Sequence, residues 1–116
     1  MHVIHHTHLP ALQWGDERGV SAADRSRGVQ AFSVRVGVLD PGARGASCMH
    51  RGELVLLVLS GAGKLLLDGD PQRFAAPCTL LIPPHRTYQI VNHGSTALQV
   101  VSVFTEAPEA GRATGA

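Results

Sequence analysis

The sequence predicts an all-β fold, a small sandwich or barrel, and three observations carry that prediction. Residues 29–39 and 97–105 alternate apolar and polar side chains with a period of two, as half-buried strands do. The run Leu54-Val55-Leu56-Leu57-Val58-Leu59 is apolar throughout but short, and Gly61 and Gly63 close it, which fits a strand better than a helix. Clusters of Gly, Pro, Asp and Asn separate such segments at short intervals, with no convincing helix and no internal repeat.

Taken in order, residues 2–6 read as a short edge strand ended by Leu9-Pro10. Residues 14–28 are rich in Asp, Arg, Ser and Gly without clean alternation, and read as an irregular loop. Over 29–39, Phe32, Val34, Val36 and Val38 fall on one face, with Ser33, Arg35 and Gly37 on the other, so the valine face is the expected core face. Asp40-Pro41-Gly42 is a turn. The apolar run at 54–59 is a strand, with a return strand over 64–68 after the Ser60–Gly63 turn, so that residues 42–92 read as two hairpin blocks. Asp68-Gly69-Asp70-Pro71 is a turn. Strands at 79–82 and 88–91 stop at Pro83-Pro84 and at Asn92-His93-Gly94-Ser95. In the last strand Leu98, Val100 and Phe104 oppose Gln99 and Thr105. From Glu106 the chain is Ala, Pro, Gly and charge. One domain over 1–106 and a mobile tail over 107–116 are therefore expected.

The 116 residues support one core. A net charge of +1 with scattered basic residues leaves no electrostatic footprint for nucleic acid or an anionic membrane. No apolar run is long enough to span a bilayer. The N-terminus lacks the basic start and apolar core of a signal peptide, so a cytoplasmic protein with Cys48 and Cys78 as free thiols is the expectation.

The chemistry-bearing residues gather between Gly42 and Asn92. Cys48 and His50, two apart on a strand, share a face. Glu53 would point away from that face unless a bulge re-aims it. His85 and Tyr88 follow the Pro83-Pro84 stop. Arg44, Arg51 and Arg86 sit on loops near one end of the expected barrel, where they either receive an anionic group or remain solvated. His2, His5, His6 and His8 cluster at the N-terminus. There His6 and His8 on one strand face would chelate Zn or Ni adventitiously, or simply lie exposed. Cys78 begins a strand and is read as packing.

Spacing within this stretch carries a resemblance. Gly42 is followed by five residues, Cys48-x-His50, three residues, Leu54, six residues and Gly61. Pro77 is followed by five residues, Pro83-x-His85, two residues, Tyr88, three residues and Asn92. These intervals resemble the two motifs of the cupin superfamily, in its small single-domain RmlC-like form. The resemblance covers about 29–104 and implies a jelly-roll barrel. Cupin enzymes typically hold Fe, Mn, Ni, Zn or Cu with three His and one Glu. By position, Cys48 replaces the first His, Leu54 the Glu and Tyr88 the third His, while Pro77 and His85 replace glycines.

What the resemblance implies therefore divides. A reduced site of His50 and Cys48 with His85 or Tyr88 would hold one divalent transition metal and run dioxygenase- or isomerase-type chemistry, with His50 as ligand or base and Tyr88 as ligand or proton donor. Arg51 or Arg86 would steer an anionic substrate into a pocket formed by Cys48, His50, Leu54, His85 and Tyr88. The alternative is a binding or accessory barrel without the metal, in which Cys48 packs as a small apolar residue and Tyr88 hydrogen-bonds His50. A structural protomer with a vestigial pocket is the third reading. In each, the resemblance implies a homodimer, and the first two bind a small molecule.

Overall fold

The computed structural model describes residues 3–105. Its strands are β1 (Leu12–Trp14), β2 (Glu17–Ala23), β3 (Ser33–Leu39), β4 (Cys48–Met49), β5 (Leu54–Ser60), β6 (Ala62–Leu67), β7 (Asp70–Ala75), β8 (Cys78–Ile82), β9 (Thr87–Val91) and β10 (Leu98–Phe104). Helical structure among the described residues amounts to two short 3-10 turns, His6–His8 and Arg25–Arg27. A six-stranded sheet runs β1-β2-β3-β10-β5-β8, and a four-stranded sheet runs β4-β9-β6-β7. All neighbours are antiparallel. Two facing antiparallel sheets whose consecutive strands switch sheets form the jelly roll.

The core lies between the sheets. Leu54, Leu56 and Val58 of β5 meet Leu98, Val100 and Phe104 of β10, with Leu65, Tyr88 and Ile90 from the other sheet. Every second residue points inward, so these side chains come from one phase of each strand. Asn92, fully buried after β9, donates from Nδ2 to the carbonyls of Leu39 and Thr96 and accepts from Gly94 N, each at 2.9 Å. It thereby ties the end of β9 to the end of β3.

Four expectations are corrected. The edge strand at 2–6 is absent over residues 3–5, and His6–His8 is a 3-10 turn; His2 lies outside the described residues. That segment has no partner strand, and β1 is the edge instead. The loop at 14–28 contains β2, whose inward residues Glu17, Gly19 and Ser21 are not apolar, so no alternation betrayed it. Its pairing comes from β3. β5 and β6 are not a hairpin: β5 pairs with β10 and β8, and the chain crosses at Gly61 (φ 91°) into the other sheet. Finally, β3 is turned over. Arg35, Gly37 and Leu39 are the buried phase, while Val34, Val36 and Val38 are half-exposed and Phe32 is exposed.

The overturned phase of β3 has a partner in its neighbours. Outward rows run Val20–Val36–Val101–Leu57 and Val34–Val103–Val55–Leu81 across β2, β3, β10, β5 and β8. The sheet is thus apolar on both faces, and alternation within β3 alone could not tell which face covers the core. The expected domain end at 106 and the tail at 107–116 lie outside the described residues.

Candidate functional site

Inside the barrel, β4 and β9 place Cys48 directly opposite Tyr88. His50 follows two residues after Cys48 and joins the same interior, as the strand period requires. A 3.2 Å hydrogen bond joins His50 Nε2 and Tyr88 Oη, and the His50 ring sits edge-on to Phe104 with centroids 5.0 Å apart. Cys48 Sγ donates to Ala46 O at 3.5 Å. Leu54 is buried in the same core.

Burial decides the protonation of this cluster. Burial pushes the Tyr88 phenol far above its ordinary value, and the charge and hydrogen bond of Arg35 recover only part of that shift. The Cys48 thiol is pushed up by burial as well, with Arg35 again pulling the other way. Both groups are therefore neutral acids near pH 7, a hydrogen-bond donor and a weak one.

Arg35 and Glu17 complete the interior, and sequence reasoning missed them as site residues. The inward row across the larger sheet runs Ser21–Arg35–Ser102–Leu56–Leu80. Arg35 is 5% exposed and Glu17 is 7% exposed. Their nearest approach, Nε to Oε2, is 4.0 Å, and both atoms are buried without a hydrogen bond. The guanidinium lies over the Trp14 ring, 4.2 Å from its centroid, and 5.7 Å from that of Phe104. Burial raises the Glu17 carboxyl above its usual range, against the opposing pull of Arg35. A cleft of about 310 Å³ opens here, lined by Leu12, Trp14, Ser21, Asp24, Ser33, Arg35 and Phe104. The one available signal for Arg35 was its phase: it is in step with Leu39, the apolar residue that ends the strand. Glu17 carried no local signal.

Other expected site residues fall elsewhere. His85 is exposed with φ 65°, a left-handed conformation at the position where the motif has glycine, and its backbone N–H donates to the His50 carbonyl at 2.8 Å. It shapes the turn and stays outside the Cys48–His50–Tyr88 cluster. Arg86 is paired with Asp68. Arg44 and Arg51 are exposed, as is Glu53, which points away from the interior as the strand phase required. Cys78 is inward, opposite Val58, and both cysteines are free. At the N-terminus the rings that meet are His5 and His8, 5.7 Å apart, rather than His6 and His8.

The metal implied by the motifs does not fit these residues. Leu54 has no donor atom. Tyr88 and Cys48 are held in their protonated forms by burial, whereas a metal needs phenolate and thiolate. Of the charged side chains acting on both groups, the Arg35 guanidinium outweighs the Glu17 carboxyl, which acts in the opposite sense, and a guanidinium there opposes a divalent cation. Among the described residues no three His, Cys, Asp or Glu side chains are grouped for metal binding.

The chain belongs to the cupin domain family, whose model matches residues 35–104. Solved structures agree in fold. The polyketide cyclase RemF from Streptomyces resistomycificus is 18% identical, with a TM-score of 0.78 over 94% of this chain and 82% of that one. A predicted oxalate decarboxylase from Thermotoga maritima is 16% identical, with a TM-score of 0.77 over 91% of this chain and all of the other. A cupin-superfamily sugar phosphate isomerase from Silicibacter pomeroyi is 16% identical, with a TM-score of 0.76 over 91% and 76%. These identities carry the fold alone. No curated protein matches the chain by sequence. No helix among the described residues is long and apolar enough to cross a membrane.

Proposed function

We propose that this chain is a ligand-binding cupin that holds a small organic molecule in its barrel without the metal typical of the family. The observation that carries this reading is the buried Arg35 guanidinium. A permanent cation acts on Cys48 and Tyr88, two of the positions where the motifs place ligands, and only His50 keeps the usual ligand type. Arg35 Nε and Glu17 Oε2 are an ion pair at 4.0 Å in which neither atom has a hydrogen bond, a costly arrangement to bury that a bound ligand or an ordered water would offset. The sensor or accessory role follows as the leading reading, with cytoplasmic residence supported by the two free thiols.

One observation favours a second reading. His50 and Tyr88, joined at 3.2 Å, set an imidazole beside a protonated phenol in the buried interior, a pair suited to moving a proton on a bound substrate in isomerase-type chemistry. Homodimerisation belongs to either reading, and the apolar outward rows of the larger sheet are the surface that supports it.

The deciding experiment is the metal content of untagged protein purified without chelator, beside His50→Ala. The expected result is no stoichiometric Fe, Mn, Ni, Cu or Zn that depends on His50. One equivalent present in the wild type and lost in His50→Ala would overturn the metal-free reading.

A further inference from the structure

Building on the metal-free reading above, we infer that the Trp14–Arg35 cleft binds a small planar carboxylate. The carboxylate pairs with the Arg35 guanidinium, and the flat apolar body lies against Trp14 and Phe104. Among the described residues lining the cleft, Arg35 alone is cationic. It is nine-tenths buried, with Nε–H unpaired and Glu17 too far away, at 4.0 Å, to hydrogen-bond it. A guanidinium presents donors in a planar fork that matches a carboxylate, and desolvation strengthens the pairing. Stacked on Trp14 at 4.2 Å, the guanidinium is already oriented, so little side-chain freedom is lost on binding.

Two carboxylates of the protein face the same region, and neither closes the site. Asp24 accepts from Ser21 Oγ, Ser26 Oγ and Ser26 N, and pairs with Arg27 at 3.5 Å, so its charge is largely satisfied locally. Arg35 hydrogen-bonds Tyr88 and its buried Nε faces Glu17 at 4.0 Å without a hydrogen bond, so a ligand in the cleft would take the remaining terminal N–H donors of the fork. Ser21 and Ser33 supply hydroxyls at the edge of the cleft. Its volume, about 310 Å³, is at the lower end of ligand pockets and selects a small molecule.

Trp14 is the sole tryptophan of the chain, so its fluorescence reports on this cleft directly. The test is a fluorescence titration of chelator-treated full chain with benzoate and with its neutral isostere benzamide. Benzoate is expected to give a saturable change with a Kd near or below about 1 mM, and benzamide to bind about tenfold to a hundredfold more weakly. Arg35→Gln should remove the preference for the anion. Because Arg35→Gln strands Glu17, the double variant Glu17→Gln/Arg35→Gln is measured beside it, with circular dichroism to show that it folds. Asp24→Asn is expected to strengthen benzoate binding. Equal response to the two compounds, a preference surviving in a folded Arg35→Gln or double variant, or no saturable response to benzoate would each overturn the inference. Failure here with no His50-dependent metal leaves the metal-free reading standing. His50-dependent metal together with benzoate binding in chelated protein overturns that reading and keeps the carboxylate site.

Discussion

The carboxylate of Glu17 lies over the Cα of Gly37, in the space that a side chain there would need. A Cβ on Gly37 would stand 2.0 Å from Oε2 and 2.7 Å from Cδ and Cγ of Glu17. This glycine is therefore a seat for a buried carboxylate rather than a turn residue. It also explains how β2 can turn a glutamate inward beside Arg35.

Gly37→Ala is expected to destabilise the fold by about 1–3 kcal/mol, because the methyl group must displace the buried Glu17 side chain from beside Arg35. Glu17→Ala should relieve much of that cost, giving a coupling of about 1 kcal/mol or more in a double-mutant cycle. Urea denaturation of the four proteins measures it. Additive effects would show that Glu17 does not occupy this space.

The pH dependence of stability follows from Glu17. Its folded pKa is raised by burial above the ordinary 4.5, so folding favours the protonated acid. That contribution is full below the unfolded pKa and is lost as pH rises through the folded value. Glu17→Gln stays neutral, so its Tm relative to wild type should climb as pH rises above the ordinary 4.5 and level off once the folded carboxyl has ionised. Asp24 and Asp68 act in the opposite sense. Hydrogen bonds from Ser21 and from Arg86, respectively, lead in lowering their carboxyls, so their contributions are lost as pH falls. Both are common to the two proteins and cancel in the difference. A flat difference would place Glu17 in a solvated setting.

The outward rows of the larger sheet predict association of two copies. Leu57, Leu59 and Leu81 are 37%, 53% and 71% exposed, beside half-exposed Val34, Val36, Val55, Val101 and Val103. Light scattering at micromolar concentration should give a dimer mass for the wild type. Leu57→Glu, which sets a charge in the middle of this face without touching the core, should shift it to monomer. A wild-type monomer would show that the face is covered by something other than a second copy.

Much of the fold was legible because strand periodicity and turn chemistry are local. Gly42 (φ 84°) and Gly61 (φ 91°) stand where backbone sterics favour glycine, and Asn92 stands where two strand ends must be tied. The Cys48–His50–Tyr88 grouping was legible too, since period two and motif spacing fix which side chains share the interior. The register of β2 was not. A strand whose inward residues are Glu, Gly and Ser has no hydrophobic pattern to read. Arg35 was misplaced because its strand is apolar on the outward phase, and the outward phase looks like a core face until the sheet is assembled.

By itself, the sequence determined the all-β class, the cupin spacing and the loss of the usual donors at positions 48, 54 and 88. Each is a property of residues near one another in the chain. Only the tertiary structure decided that Arg35 and Glu17 enter the barrel, that Trp14 covers the guanidinium, and that His85 stays outside. Those outcomes depend on which strands pair and which face of each sheet meets the other. That choice is set by long-range burial, to which no single strand holds the key.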